Sequence, residues 1–117
     1  MKKHSALTDY DDFSVFSGKP KECDHHLLFG VGVRELADAD HLWIPLLNSE
    51  HNLSALGTIM QIHGNPAAEK LSKMLGQVAY EKEYIAKRYV ELSGETLEDV
   101  KRESRNAFME RYGKSYL

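Results

Sequence analysis

The stretch Cys23-Asp24-His25-His26 places two imidazoles beside a carboxylate, immediately ahead of the apolar run Leu27-Leu28-Phe29. Vicinal histidines are costly to bury, because each ring carries two nitrogens that need a hydrogen-bond partner or a metal. Imidazole also titrates near neutrality, so the same groups can move protons at physiological pH. Metal ligation and general acid–base work are therefore the chemistry open to this stretch. Five of the six histidines lie between His25 and His63, which makes that span the candidate site. The single Cys23 excludes an intramolecular disulfide and a zinc site built from paired cysteines. Any metal here is held by histidine, carboxylate or amide groups.

The elements that must position these residues can be read in order. Residues 1–12 are polar and aperiodic, and are expected as a loosely held arm. Phe13 to Phe16 reads as a short strand, and Ser17-Gly18-Lys19-Pro20 as a turn leading into a strand from Cys23 to Phe29. Gly30-Val31-Gly32-Val33 ends that strand. This lone GxG lacks a third glycine, so it reads as a flexible loop and not as a nucleotide-binding turn. Arg34 to His41 is a polar connection with room for one helical turn. Leu42-Trp43-Ile44-Pro45-Leu46-Leu47 is a second strand, with Pro45 at an edge or a strand end. Asn48 or Ser49 can cap a helix that carries Glu50, His51, Asn52, Leu53 and Leu56, ended or bent at Gly57. Thr58 to Ile62 fits helix or strand and delivers His63. Asn65 as N-cap and Pro66 at the first turn open an amphipathic helix to about Leu92, with Leu71, Met74, Leu75, Val78, Ile85, Tyr89 and Leu92 on its inner face. Ser93-Gly94 stops it. Thr96 and Asp99 form a capping-box pattern for a last helix to Tyr112, with Leu97, Val100, Ala107 and Phe108 inward and Gly113 as its stop.

The expected architecture is a single α+β domain, with a β-β-α core over about 13–65 and a helical extension over about 66–117. Composition is that of an ordinary soluble protein, 42% hydrophobic and 28% charged over 117 residues. No apolar run approaches the roughly 20 residues that span a bilayer, and the first residues lack an apolar signal region, so no membrane association and a cytoplasmic location are expected. The formal charge is -3. That lowers the prospect of a polyanionic partner without excluding it, since a bound divalent cation changes the local sign.

Taken together, His25-His26 before the apolar strand end, Trp43-Ile44-Pro45-Leu46, His51-Asn52 and His63 resemble the HNH (ββα-metal) endonucleases, in particular the small HNH nucleases of phages and prophages. The closing stretch Phe108 to Leu117 is similar to the tails of those phage proteins. The resemblance covers roughly residues 13–117. It implies a ββα-metal (His-Me finger) core, metal-dependent hydrolysis of DNA phosphodiester bonds, DNA as partner, and a bacterial host cell as setting. Carried over by position, His25 binds the metal, His26 is the general base that activates water, and His51 is the helix ligand. Ala55 stands where many relatives have a further helix histidine, so His63 is the substitute, folding back from the end of its segment. Leu47 stands where zinc-finger-bearing relatives often have a structural cysteine. The implied cofactor is a divalent cation, Mg²⁺ first, with Zn²⁺, Mn²⁺ or Ni²⁺ as alternatives.

A second register stays open, in which Asp24 is the ligand and His25 the base. Asn52 can orient His26 or a water, and Arg34 can clamp a phosphate. Two rival readings accompany the nuclease. One is a non-catalytic DNA-binding or recombination accessory protein on the same scaffold. The other is a structural metal module held by His25, His51 and His63. A homodimer through the half-solvated long helix is a further open expectation.

Overall fold

The computed structural model describes residues 4–51, 61–91 and 94–117. Strand β1 (Cys23–His26) pairs antiparallel with β2 (Trp43–Leu46), His25 opposite Ile44 and His26 opposite Trp43. A two-stranded ribbon is marginal in water by itself, so its stability comes from what packs on it. Helices supply that packing: α1 (Val33–Ala39), α2 (Asn48–His51), α3 (Pro66–Glu91) and α4 (Leu97–Tyr112). The class is α+β.

β1 is shorter than the sequence pattern implies. Leu27 and Leu28 leave the ladder and drive into two cores, both fully buried. Leu27 joins Ile44, Leu46 and Ile62. Leu28 joins Ala37, Leu42, Ala79, Phe108 and Tyr112. The Leu27 N–H donates to the Leu42 carbonyl at 2.9 Å, which holds this departure in place. The polar connection is a two-turn helix, α1, entered through Gly32 at φ 76, a left-handed conformation that glycine adopts without steric cost.

The expected strand at Phe13 to Phe16 is a tight reversal with one bridge, Phe13 to Pro20. Ser14 anchors it, its hydroxyl donating to the buried Glu50 carboxylate at 2.6 Å. The expected arm is also tied down: the Ala6 N–H donates to the His41 carbonyl at 2.8 Å and the Ser5 hydroxyl to the Trp43 carbonyl at 2.6 Å. Asp11, 5% exposed, accepts from the Ser5 N–H. Short polar side chains there find backbone partners on β2, which composition cannot reveal.

Both long helices begin at the expected caps, and α4 ends at its expected one; Leu92 and Ser93, where α3 was expected to stop, lie outside the described residues. Asn65 Oδ1 accepts from the Ala68 N–H at the start of α3. Thr96 and Asp99 form the reciprocal box at the start of α4, and Gly113 closes it at φ 94. The inner face of α3 departs from expectation. Leu71, Leu75 and Val78 are exposed, at 55%, 37% and 47%, and the inward side is Ser72, Gly76, Gln77 and Ala79. A Cβ added at Gly76 would lie 2.9 Å from Leu28 Cγ and 3.1 Å from Leu27 Cβ, so this face packs at a distance only glycine permits. Small residues let the helix approach the Leu27-Leu28 corner closely, and that approach positions the site. On α4, Val100, Ser104, Phe108 and Tyr112 are buried, whereas Leu97 is 49% exposed. Among the described residues, no helix is long and apolar enough to cross a membrane.

Candidate metal centre

β1 turns alternate residues to opposite sides, so His25 and His26 diverge. His25 points inward and is 0% exposed. α2 presents His51 to the same space. Two backbone hydrogen bonds then lay the following segment alongside α2: Ile62 N–H to the Glu50 carbonyl at 2.8 Å, and His63 N–H to the His51 carbonyl at 3.0 Å. The fold-back expected of His63 is this pairing. The three rings form a near-equilateral triangle, with centroids 5.0 Å apart for His25 and His51, 5.0 Å for His25 and His63, and 4.7 Å for His51 and His63. One nitrogen from each lies within 4.8 Å of the others.

Hydrogen bonds settle which nitrogen His25 and His63 offer. The Ser72 hydroxyl donates to the Leu27 carbonyl at 2.9 Å, so its oxygen can only accept from His25 Nε2–H, 2.7 Å away. With its proton on Nε2, neutral His25 has a bare lone pair on Nδ1. That Nδ1 is buried and has no hydrogen-bond partner. An unsatisfied buried acceptor calls for an explanation, and a cation shared with two neighbouring imidazoles supplies one. His63 Nδ1 lies 3.2 Å from Glu69 Oε2, a carboxylate that accepts its proton and leaves Nε2 as the donor atom. A carboxylate or hydroxyl behind a ligating imidazole is the usual means of fixing tautomer and ring orientation.

Electrostatics favour the metal-ready form. Burial, reinforced by the other histidines, holds the His25 pKa down at about 3 instead of 6.5. His51 is lowered for the same reasons, with the Arg34 charge adding to the effect. Neutral imidazole is the form that binds a metal.

The other expected site residues fall as follows. Asp24, named as a ligand in one register, lies outside the triad and is ion-paired to Lys21 at 3.0 Å. Strand alternation is the reason, because Asp24 and His25 cannot face the same side of β1. His26 also lies outside the triad, with Nε2 3.2 Å from Asp38 Oδ1 on α1 and a side chain 14% exposed. Arg34 sits on the exposed side of α1, close enough for its charge to reach His51. Asn52 lies outside the described residues, as does Ala55. His41 Nδ1 meets the His4 carbonyl at 2.9 Å, and the exposed His4 meets Asp11 through its Nδ1 at 3.1 Å.

Four contributors were not singled out from the sequence. Ser72 and Glu69 orient ligands, Asp38 holds His26, and Phe29 packs its ring on His63 at 4.7 Å and on His25 at 5.6 Å. Glu69 alone had a local clue, its place in the first turn of α3 six residues after His63. No protein-family model matches this chain, and no curated protein or solved structure matches it.

Proposed function

We propose that the chain is a metal-dependent endonuclease of the HNH type, in which β1, β2 and α2 serve as a ββα-metal core and a DNA phosphodiester bond is hydrolysed. The observation that carries this reading is the bare, buried Nδ1 on the His25 ring, which is grouped with the rings of His51 and His63. His25, His51 and His63 would hold the cation. Three neutral imidazoles suit Zn²⁺ or Ni²⁺ better than Mg²⁺, which prefers carboxylate and water oxygens, and this reverses the order of metals expected from the resemblance alone. When bound, a divalent cation there supplies Lewis-acid stabilisation of the charge that develops on phosphoryl and leaving oxygens.

His26 is the proposed base. Its Nε2–H is directed at the Asp38 carboxylate, which leaves Nδ1 free to take a proton from water. This is the base-and-orienter pairing that general-base hydrolysis uses. Arg34, on the exposed side of α1, is the proposed clamp for a phosphate oxygen.

Cleavage of supercoiled plasmid by the wild type, His25→Ala and His26→Ala across Zn²⁺, Ni²⁺, Mn²⁺ and Mg²⁺, with a chelator control, tests this. Metal-dependent nicking lost in both variants is the expected result. Absence of cleavage with every metal overturns the enzyme.

The complete burial of His25 and its tie to α3 through Ser72 favour a second reading, a structural cation that joins the sheet to α3. Unfolding of the chain on chelation, with no cleavage in any metal, is the outcome that selects it.

A further inference from the structure

Beyond the histidines, one surface feature is left unused by the proposed chemistry. Lys73 follows Ser72 on α3, so the helix that sends Ser72 inward to His25 sends Lys73 to the rim. The Lys73 ammonium sits 4.8 Å from the centroid of Phe29, the ring that packs on His25 and His63. It also lies 5.8 Å from the centroid of Tyr116, and Lys114 lies 5.1 Å from that same ring. Rings and ammonium groups therefore alternate, Phe29, Lys73, Tyr116, Lys114, in a chain of contacts that starts at the histidine triad.

This chain of contacts is fixed by the fold. Gln77, 0% exposed, accepts from the Tyr116 N–H at 2.6 Å and donates to the Ser115 hydroxyl at 3.0 Å. The segment after α4 is thereby pinned to α3 beside the site. Among the described residues, Lys21, Lys82, Arg88, Lys101, Arg102, Arg105 and Arg111 are engaged with acids, whereas Lys19, Arg34, Lys70 and Lys87 are not. Among the described residues, neither Lys73 nor Lys114 has a carboxylate within ion-pairing distance. Glu69, one turn before Lys73 on α3, is taken up by His63. Two like charges gathered at one ring repel each other, and a polyanion laid across them relieves that repulsion.

We infer that Phe29, Lys73, Tyr116 and Lys114 hold a single-stranded nucleic-acid segment adjacent to the phosphate at the metal centre. Cationic groups that track a backbone, interleaved with aromatic faces on which bases stack, are the means by which proteins hold unpaired strands. A duplex keeps its bases stacked inside and would use only the lysines. The inference rests on the nuclease reading and specifies its substrate: DNA with an unpaired stretch next to the cut.

The test uses the full chain with chelator present, its fold under chelator verified by circular dichroism, and fluorescence anisotropy with a labelled 20-nucleotide strand and the matching duplex as probes. Wild type, Lys73→Ala/Lys114→Ala, Lys73→Arg/Lys114→Arg and the control Lys101→Ala/Arg102→Ala are compared. The wild type binds the strand more tightly than the duplex. The double alanine variant loses strand affinity roughly tenfold for each lysine. Its slope of log affinity against log salt falls by about 1.4. The arginine pair restores both, and the control is unchanged. With metal added, the alanine pair raises KM and leaves kcat in place.

Equal affinity of wild type and alanine pair overturns the inference, even where wild-type cleavage upholds the nuclease. Duplex binding at least as tight as strand binding overturns the unpaired substrate. A wild type that neither binds nor cleaves either probe overturns the nuclease reading and this inference together.

Discussion

His25 Nε2 and Ser72 Oγ meet at 2.7 Å across 47 positions of sequence, and the direction of that hydrogen bond decides which nitrogen of His25 is left for a metal. Because Ser72 spends its own proton on the Leu27 carbonyl, Ser72 is an acceptor toward His25. Removing the hydroxyl therefore frees the ring and leaves its Nε2–H unsatisfied. Ser72→Ala is expected to weaken Zn²⁺ or Ni²⁺ binding by roughly 10- to 100-fold, the usual effect of losing an outer partner of a ligand. It should also destabilise the metal-free chain by about 1 to 3 kcal/mol. Isothermal titration calorimetry and urea denaturation measure the two effects separately.

The metal-free chain should lose stability in mild acid. The fold lowers the His25 pKa from 6.5 to about 3. Between those values the unfolded chain takes up a proton that the folded chain refuses, so the stability present above pH 6.5 declines as the pH falls toward 3. The slope from His25 alone is about 1.4 kcal/mol per pH unit at its steepest. His51 is shifted in the same direction and adds to it. Urea midpoints measured from pH 7.5 to 4 check the sign. His25→Leu should flatten the curve, and an unchanged slope in that variant would assign the acid sensitivity elsewhere.

Gly76 sets the distance between α3 and the Leu27-Leu28 corner. Alanine would gain roughly 1 kcal/mol of helix propensity. Its Cβ, however, would lie 2.9 Å from Leu28 Cγ and 3.1 Å from Leu27 Cβ, both on buried residues with little room to move. Overpacking of this kind costs about 1 to 3 kcal/mol. Gly76→Ala is therefore expected to destabilise the chain slightly in thermal unfolding. It should also weaken metal binding, because Ser72 lies one turn away on the same face. A more stable variant with unchanged metal affinity would show that the corner yields.

His26 and Asp38 separate base from ligand. His26→Ala should lower kcat for plasmid nicking on the order of 10²- to 10⁴-fold while metal affinity stays as in the wild type. Asp38→Asn should give a smaller loss in kcat. A drop in metal affinity with His26→Ala would place His26 among the ligands.

Parts of this molecule were written in short stretches of sequence. Asn65 with Pro66 marks the start of α3, and Thr96 with Asp99 and Gly113 mark the two ends of α4, because a cap is a hydrogen bond or a backbone angle set within three or four residues. The histidines named themselves by type and clustering, and the fold-back of His63 was foreseen from the absence of a later helix histidine.

What the chain could not disclose locally depends on how its surfaces meet. The apolar spacing of Leu71, Leu75 and Val78 correctly signals a helix, yet those side chains face outward. The inner face was chosen by the fit of Ser72, Gly76 and Ala79 against Leu27 and Leu28, a matter of shape between distant segments. Likewise Asp24 and His26 have the right chemistry for ligands, and only the pleat of β1 against β2 turns them away from His25. Residue types and local spacing determined the elements and the chemistry available. Tertiary packing decided which nitrogens face one another, because a hydrogen bond across 47 residues exists only after the chain between them has folded.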